Sequence, residues 1–131
     1  MIIENVNIGP LIKAFKKFEA FRLDTHTEHE KAGTIHAFEF CFELTWKVMK
    51  KLLQERGKIA NSPKEVFRMA ALEGFIDNLD LWFDFLQKRN LTTHTYEETE
   101  AEKVLQVLEV FSLKIREFLQ ILGVPQDAYG G

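Results

Sequence analysis

Cysteine is nearly absent from this sequence, with Cys41 as its one representative among 131 residues. A single thiol excludes an internal disulfide framework and a metal site built from several thiolates, and it fits a reducing compartment. Long apolar runs are also missing, so we expect no transmembrane segment. The N-terminal Met-Ile-Ile-Glu-Asn lacks a basic region followed by a long apolar block, which argues against export. We therefore expect a cytoplasmic protein without a membrane partner.

Basic residues are not in surplus. The chain has 17 Lys and Arg against 20 Asp and Glu, which gives a formal net charge of -3 at pH 7. This balance excludes the broad basic surface of a protein that coats nucleic acid, but it is compatible with one small local site.

No segment shows the alternation of a strand, and apolar residues recur at helical spacing through most of the chain. The pattern predicts helices over residues 10–24, from about 31 to Gly57, from the capping box Ser62-Pro63-Lys64-Glu65 to Gly74, from Asn78 to Asn90, and from a second capping box at Thr95-Tyr96-Glu97-Glu98 to Gly123. Short connections favour antiparallel neighbours. We predict an all-α fold, an antiparallel up-and-down helical bundle of about five helices. It resembles a four-helix bundle and forms one domain over residues 1–131, with its core at about 10–122.

Single residues within these helices carry finer predictions. Asn78 is predicted to cap the fourth helix, in which Phe83 is expected to face the core together with Trp82. Glu19 is assigned, with the lysines of the first helix, to a solvent face. Cys41 lies on an apolar helix face, where we expect a small core residue.

Chemistry is expected in the segment Arg89-Asn90-Leu91-Thr92-Thr93-His94-Thr95-Tyr96. Arg89 ends one predicted helix and His94 precedes the next, so both lie near one tight turn. A guanidinium and the free N–H groups of a helix start bind phosphate, and a neutral imidazole transfers protons near pH 7. Together with Lys88 these residues predict a small positive pocket. The alternative interpretation is that Arg89 caps a helix end and that His94 and Tyr96 only occupy a turn.

Glu39, Glu43 and Lys47 follow one another at intervals of four residues. One interpretation is a solvent-facing ladder of ion pairs, each of which stabilises a helix by a few tenths of a kcal/mol. The other is that the carboxylates, which lie among aromatic residues, orient Arg89 or bind a basic group of a partner.

Two further clusters are interpreted without a ligand. His26, His29 and His36 lie near Glu28 and Glu30, but no pair has a spacing typical of a metal site, so we expect no metal ion. A modest basic cluster late in the long helix is interpreted as a solvated face rather than an RNA track. It comprises Lys47, Lys50, Lys51, Arg56 and Lys58.

Five stretches of the chain occur together in a known family. They are Phe38-Glu39-Phe40, Glu43-Leu44-Thr45-Trp46-Lys47, Ser62-Pro63-Lys64-Glu65-Val66-Phe67-Arg68, Leu81-Trp82 and the segment from Arg89 to Tyr96. From about residue 10 to residue 122 the chain resembles the nucleotidyltransferase substrate-binding protein family, a branch of the HEPN superfamily.

The resemblance implies a bundle that forms a homodimer, or a higher even oligomer, and acts with a separately encoded minimal nucleotidyltransferase (MNT). In related HEPN toxins of toxin–antitoxin pairs, an Arg-x4-His-x-Tyr motif from each protomer meets its mate across the dimer cleft and acts as a metal-independent ribonuclease. The MNT antitoxin silences the toxin by transferring AMP to the motif tyrosine. The motif positions here are Arg89, His94 and Tyr96.

Arg89 and His94 are therefore the expected catalytic residues, and Tyr96 is the expected site of adenylylation. Supporting or phosphate-binding roles are expected for Asn90, Glu39, Glu43 and Lys47. We expect RNA or a nucleotide as ligand, and no cofactor. The alternative function is a non-catalytic subunit that binds a substrate or nucleotide and completes the active site of the partner nucleotidyltransferase. A third alternative is a structural bundle without a ligand.

Overall fold

The structure, a computed structural model, describes residues 1–95 and 97–130. Over these residues it contains six α-helices, two 3-10 turns and two strands of two residues each. The helices are α1 (Gly9–Leu23), α2 (Glu28–Glu55), α3 (Pro63–Leu72), α4 (Leu79–Leu91), α5 (Glu98–Leu105) and α6 (Leu108–Ile121). The predicted all-α fold is confirmed. None of these helices is long and apolar enough to cross a membrane.

Helix α2 is the long central element, and both of its ends are fixed by local hydrogen bonds. At its start the Thr27 hydroxyl accepts a hydrogen bond from the Glu30 N–H at 3.1 Å, and the Glu30 carboxylate accepts one from the Thr27 N–H at 2.9 Å. Because of this capping box, α2 begins at Glu28, three residues before the start predicted at about residue 31. At its end Gly57 adopts φ +77°, and the Lys58 N–H bonds the Leu53 carbonyl at 2.8 Å. The predicted glycine stop is therefore confirmed.

An aromatic cluster centred on Phe111 of α6 joins four helices. Its ring lies edge-on to Phe38 of α2, Phe85 of α4 and Phe18 of α1, with centroid distances of 4.9, 5.3 and 5.4 Å. Such pairs contribute about 1 kcal/mol each beyond the area that they bury. Cys41 is fully buried in this core, and burial raises the pKa of its thiol to about 12, so the residue is packing and not a nucleophile.

The prediction that the chain has no strand is wrong at the N-terminus. Strands β1 (Ile2–Ile3) and β2 (Val6–Asn7) pair antiparallel through a turn at Glu4 and Asn5, which adopt φ values of 48° and 67°. Two residues are too few to show the period of a strand in a sequence. A contact with another part of the chain stabilises the hairpin, because Arg56, directly after α2, donates two hydrogen bonds to the Glu4 carboxylate at 2.8 and 2.9 Å.

The last predicted helix is divided into α5 and α6. Between them the Val107 N–H bonds the Val104 carbonyl at 3.2 Å, three residues back, which tightens the chain at this point. No glycine or proline marks the break, so no residue type in this stretch predicts it.

Two of the predicted helix caps are wrong. Asn78 precedes α4 in the left-handed conformation, with φ 49°, and its side chain makes no capping hydrogen bond. Thr95 does not cap α5, because its hydroxyl donates to the Thr92 carbonyl at 3.2 Å and Glu97 occupies the N-cap position. The Ser62 cap is confirmed, since its hydroxyl accepts the Glu65 N–H at 3.2 Å.

Candidate functional site

The candidate site is a turn between α4 and α5. Arg89 and Asn90 lie in the last turn of α4, and Thr92–His94 form a 3-10 turn directly after it. Asn90 and His94 are exposed, whereas Arg89 is half-buried. The chain therefore presents a cation, an amide and an imidazole within six consecutive residues at an open surface.

Glu43 of α2 holds Arg89 in place. Arg89 Nε donates to Glu43 Oε1 at 2.7 Å, and the other carboxylate oxygen accepts a hydrogen bond from Trp46 Nε1 at 3.1 Å. Neither terminal nitrogen of Arg89 makes a hydrogen bond to another residue that the structure describes. The guanidinium is thus anchored through one edge, and its outer edge is left for a ligand such as a phosphate.

Glu39, one helical turn earlier on α2, anchors the other side of the turn. Thr92 Oγ1 lies 2.6 Å from Glu39 Oε2 and 2.6 Å from the Arg89 carbonyl oxygen, so its proton is shared between two acceptors. The sequence pattern did not assign a role to Thr92 or Trp46. The spacing of Glu39 and Glu43 was the only available signal, since both carboxylates lie on one face of a helix.

The interpretation of Glu39, Glu43 and Lys47 as a ladder of ion pairs is wrong. Glu43 of α2 pairs with Arg89 of α4. No ion pair joins Glu39 or Glu43 to Lys47 within residues 1–95 and 97–130. Lys47 is exposed one turn farther along α2. The structure brings Glu39, Glu43 and Arg89 together and leaves Lys47 outside this group of contacts.

The positive pocket predicted from Lys88, Arg89 and His94 is weaker than expected. Lys88 Nζ bonds Asp84 Oδ1 at 2.6 Å, and Arg89 is paired with Glu43, so both cations are compensated by carboxylates. Asp84 precedes Lys88 by four residues on α4 and was not considered as its partner, whereas Glu43, 46 residues from Arg89, is one of the carboxylates that the second interpretation expected to orient Arg89.

Tyr96, the predicted modification site, lies outside the described residues. Among the residues that the structure does describe, no group of three or more His, Cys, Asp or Glu side chains is arranged to hold a metal ion. His26, His29 and His36 are all exposed near the start of α2.

A family model described as "nucleotidyltransferase substrate binding protein like" matches residues 6–123. The chain belongs to the nucleotidyltransferase substrate-binding protein family. A curated relative from Haemophilus influenzae named "Probable ribonuclease HepT" is 31% identical over 96 residues, which is 70% of this chain. The match spans 66% of the length of that relative, so its activity is not assigned to this chain by the match alone.

Two solved structures are similar to this chain over most of its length. A protein from Thermus thermophilus is 28% identical and superposes with a TM-score of 0.81, over 86% of this chain and 98% of its own. A Haemophilus influenzae protein, whose structure is described as revealing the fold of a substrate-binding domain of a nucleotidyltransferase, is also 28% identical. Its TM-score is 0.81 over 89% of this chain and 99% of its own.

Proposed function

We propose that this protein is a metal-independent ribonuclease and the toxin of a pair whose antitoxin is a minimal nucleotidyltransferase. The observation that carries the proposal is the Arg89 guanidinium, which Glu43 holds through Nε at 2.7 Å, on the same turn as the exposed His94. Such an arrangement suits a phosphodiester, because the positive charge of the guanidinium is already fixed in position before the substrate binds. The similarity to a probable ribonuclease from Haemophilus influenzae supports the same reaction.

The residue types give the mechanism. As a base, His94 accepts the proton of a ribose 2′-hydroxyl, whose oxygen then forms a bond to phosphorus. The bond from phosphorus to the 5′-oxygen breaks, and a protonated histidine gives a proton to that leaving oxygen. Arg89 stabilises the negative charge that builds on the phosphate oxygens, and Asn90 steers the phosphate or the histidine.

This reaction needs an acid and a base at the same time. One protomer supplies a single motif histidine, whereas two copies related by a two-fold axis supply two. We infer a homodimer, or a higher even oligomer, in which the two turns face each other across a cleft. Such an assembly belongs in the cytoplasm, where RNA and ATP are both present.

Silencing by the partner follows from the position of Tyr96 in the motif. The nucleotidyltransferase would join the α-phosphorus of ATP to the tyrosine oxygen, release pyrophosphate and transfer the phenolic proton to a base. The added AMP would place bulk and a second phosphate where the RNA phosphate must bind. Intact mass measured after co-expression with the neighbouring gene tests this step, because an adduct of AMP mapped to Tyr96 supports it and an unmodified protein contradicts it.

Cleavage of RNA in the presence of EDTA tests the proposal as a whole. The wild-type protein is expected to cut, and both Arg89→Ala and His94→Ala are expected to lose cutting. Arg22→Ala is a matched control, because Arg22 Nε also pairs with a glutamate, at 2.6 Å, but lies far from the motif in the sequence. Undiminished cleavage by the two motif variants would exclude this function.

A second candidate function is a non-catalytic subunit whose Arg89 turn holds a nucleotide for the transferase. The observation that favours it is the similarity to a solved protein described as a substrate-binding domain of a nucleotidyltransferase. This alternative predicts a stable complex with the transferase and nucleotide affinity without RNA cleavage. Failure to co-purify with the transferase would count against it.

A further inference from the structure

An open groove of about 450 Å³ follows one face of α4 and reaches the candidate site. Asp80, Phe83, Gln87 and Asn90 line it from α4, and Lys64 lines it from the start of α3. Intervals of three, four and three residues put these α4 side chains on one helical face. Asn90, which has an expected supporting role in the candidate site, is therefore also the residue at the end of this α4 groove.

Phe83 forms an aromatic surface in the α4 groove. As the sequence pattern predicted, Phe83 packs against the core, but it is only half-buried and also lines the groove, whereas Trp82 and Phe85 are the buried residues of α4. Two cations of α3 lie over its ring, with Arg68 Cζ at 5.3 Å and Lys64 Nζ at 5.9 Å from the centroid. Neither cation forms an ion pair with any carboxylate in the part of the chain that the structure describes.

Three polar side chains of the groove have unused hydrogen-bonding capacity, whereas Asp84, which also lines it, accepts a hydrogen bond from Lys88 at 2.6 Å. Asp80, Gln87 and Asn90 make no side-chain hydrogen bond to any residue within 1–95 or 97–130. A carboxylate and two amides together offer both donors and acceptors. A nucleotide can be bound by such a combination of groups. The half-buried ring and the hydrogen-bond donors and acceptors beside it bind the base, and the two cations without a carboxylate partner bind the phosphate.

We propose that the α4 groove is a nucleobase subsite, in which a base of single-stranded RNA packs against Phe83 and the two cations that lie over its ring. This inference rests on the ribonuclease activity proposed above. Phe83 and Asn90 are seven residues apart, which is about 10 Å along a helix. The base on Phe83 therefore belongs to a nucleotide beside the scissile phosphate, and the subsite selects where along the RNA the phosphate at Arg89 is cut.

The first measurement is cleavage of a single-stranded RNA oligonucleotide by the wild-type protein, which defines the cut position. Binding is then measured by fluorescence anisotropy in a His94→Ala background with intact RNA and with oligonucleotides that carry one abasic nucleotide at successive positions near the cut. Phe83→Ala is expected to weaken binding of intact RNA between about 5-fold and 150-fold. Phe83→Tyr, which keeps the ring, should retain the affinity, as should Phe21→Ala, a control at a 36% exposed aromatic residue of α1.

The abasic series separates stacking from damage to the fold. With Phe83 intact, one oligonucleotide of the abasic series should bind more weakly than intact RNA by the same factor that Phe83→Ala causes. Binding of that oligonucleotide to Phe83→Ala should show no further loss of affinity. An affinity of Phe83→Ala equal to wild type, or a loss equally large with every oligonucleotide, would overturn the subsite. So would a variant that binds RNA normally but no longer binds the nucleotidyltransferase, because the groove would then be a protein surface. Absence of RNA binding and cleavage by the wild-type protein would overturn the ribonuclease itself and the subsite with it.

Discussion

Two glutamate–arginine pairs in this protein have the same local geometry and different surroundings. Arg22 Nε lies 2.6 Å from Glu19, and Arg89 Nε lies 2.7 Å from Glu43. The Glu19 side chain is 8% exposed, whereas that of Glu43 is 28% exposed. The bond to arginine therefore does not distinguish them, and the difference must be sought in what else each carboxylate binds.

Glu19 is enclosed by donors from a second helix. Ser112 and Arg116 of α6 both bond its carboxylate, the latter at 3.1 Å, and Arg116 also donates to the Gly130 carbonyl at 3.0 Å. Burial alone would raise the pKa of Glu19, but hydrogen bonds from Arg22 and Ser112 and the nearby positive charges lower it. Two arginines serve one carboxylate, so this cluster joins α1 to α6 and stabilises the fold.

The candidate site has the opposite balance. Two carboxylates, Glu39 and Glu43, serve one arginine and the turn that follows it, and the neighbouring side chains are exposed. The two clusters therefore differ in their neighbours: the Glu19 cluster is saturated within the protein, whereas the terminal nitrogens of Arg89 keep the hydrogen-bonding capacity that the proposed function assigns to a phosphate. Four substitutions test this distinction, with expected effects that decrease from the first to the last.

The largest effect is expected for Arg89→Ala. Removal of the group that stabilises phosphate charge should lower the RNA-cleavage rate constant by about 100- to 1000-fold. The free energy of unfolding should fall by less than about 1 kcal/mol, because a half-exposed ion pair adds little stability. Arg22→Ala should reverse the pattern, with normal cleavage and a loss of about 2 kcal/mol in stability. Cleavage kinetics and urea unfolding of both variants test this expectation. Equal losses of stability in the two variants would contradict the distinction between a structural Arg22 pair and a functional Arg89 pair.

Glu19→Gln should be the next largest and should act on stability. Because its pKa is lowered in the folded protein, ionised Glu19 contributes stability above its ordinary pKa of 4.5 and loses that contribution as the pH falls through the folded value. The variant should lose about 2 kcal/mol at pH 7. The difference in free energy of unfolding between the wild type and the variant should become smaller below pH 4.5. Unfolding curves of both proteins from pH 7 to pH 3 measure this difference. A difference that does not change with pH would contradict the assignment of a stabilising role to ionised Glu19.

Glu43→Gln should split the kinetic constants. Gln has one acceptor oxygen for the two donors Arg89 and Trp46 and no charge, so Arg89 is held less firmly and kcat should fall by about 10-fold. Loss of a negative charge beside the phosphate should strengthen RNA binding, so KM should fall as well. Steady-state cleavage with one RNA substrate provides both constants. An unchanged kcat would show that Glu43 does not position Arg89.

The smallest effect is expected for Thr92→Val. This change removes the hydrogen bond to Glu39 and keeps the shape of the side chain, so it should cost about 1 kcal/mol of stability. Cleavage should fall by less than in Glu43→Gln, because Arg89 keeps its own anchor. Thermal unfolding and cleavage measured side by side would contradict this order if Thr92→Val proved the more damaging variant for catalysis.

Periodic patterns predicted the helices well because burial imposes a period on them. The stripe of apolar residues located α1 to α4, and Gly57 stopped α2 where expected. Caps were predicted less well, because an N-cap depends on the backbone conformation of one residue. Asn78 has a capping side chain but adopts the left-handed region, where that side chain makes no cap hydrogen bond.

Contacts between distant residues were largely beyond the sequence. Spacing placed Glu39 and Glu43 on one face of α2, but it did not decide between a ladder of ion pairs with Lys47 and contacts with Arg89 at the end of α4. Glu19 was assigned to a solvent face, although it follows Phe15 by four residues and so lies beside the apolar stripe. Its partners on α6 are 93 and 97 residues away. Patterns within one helix do not contain such pairings, because they depend on how the helices pack.

The division of the last predicted helix has a consequence for motion. Helix α4, which carries Arg89, is held in the core by Trp82 and Phe85, whereas the eight residues of α5 bury only Val104. The free energy of local opening is therefore lower after His94 than before Arg89, and amide hydrogens of α5 should exchange with solvent earlier than those of α4. A partner that captures the opened form would rearrange the chain that follows His94, beside the proposed site, while the rest of the bundle stays folded.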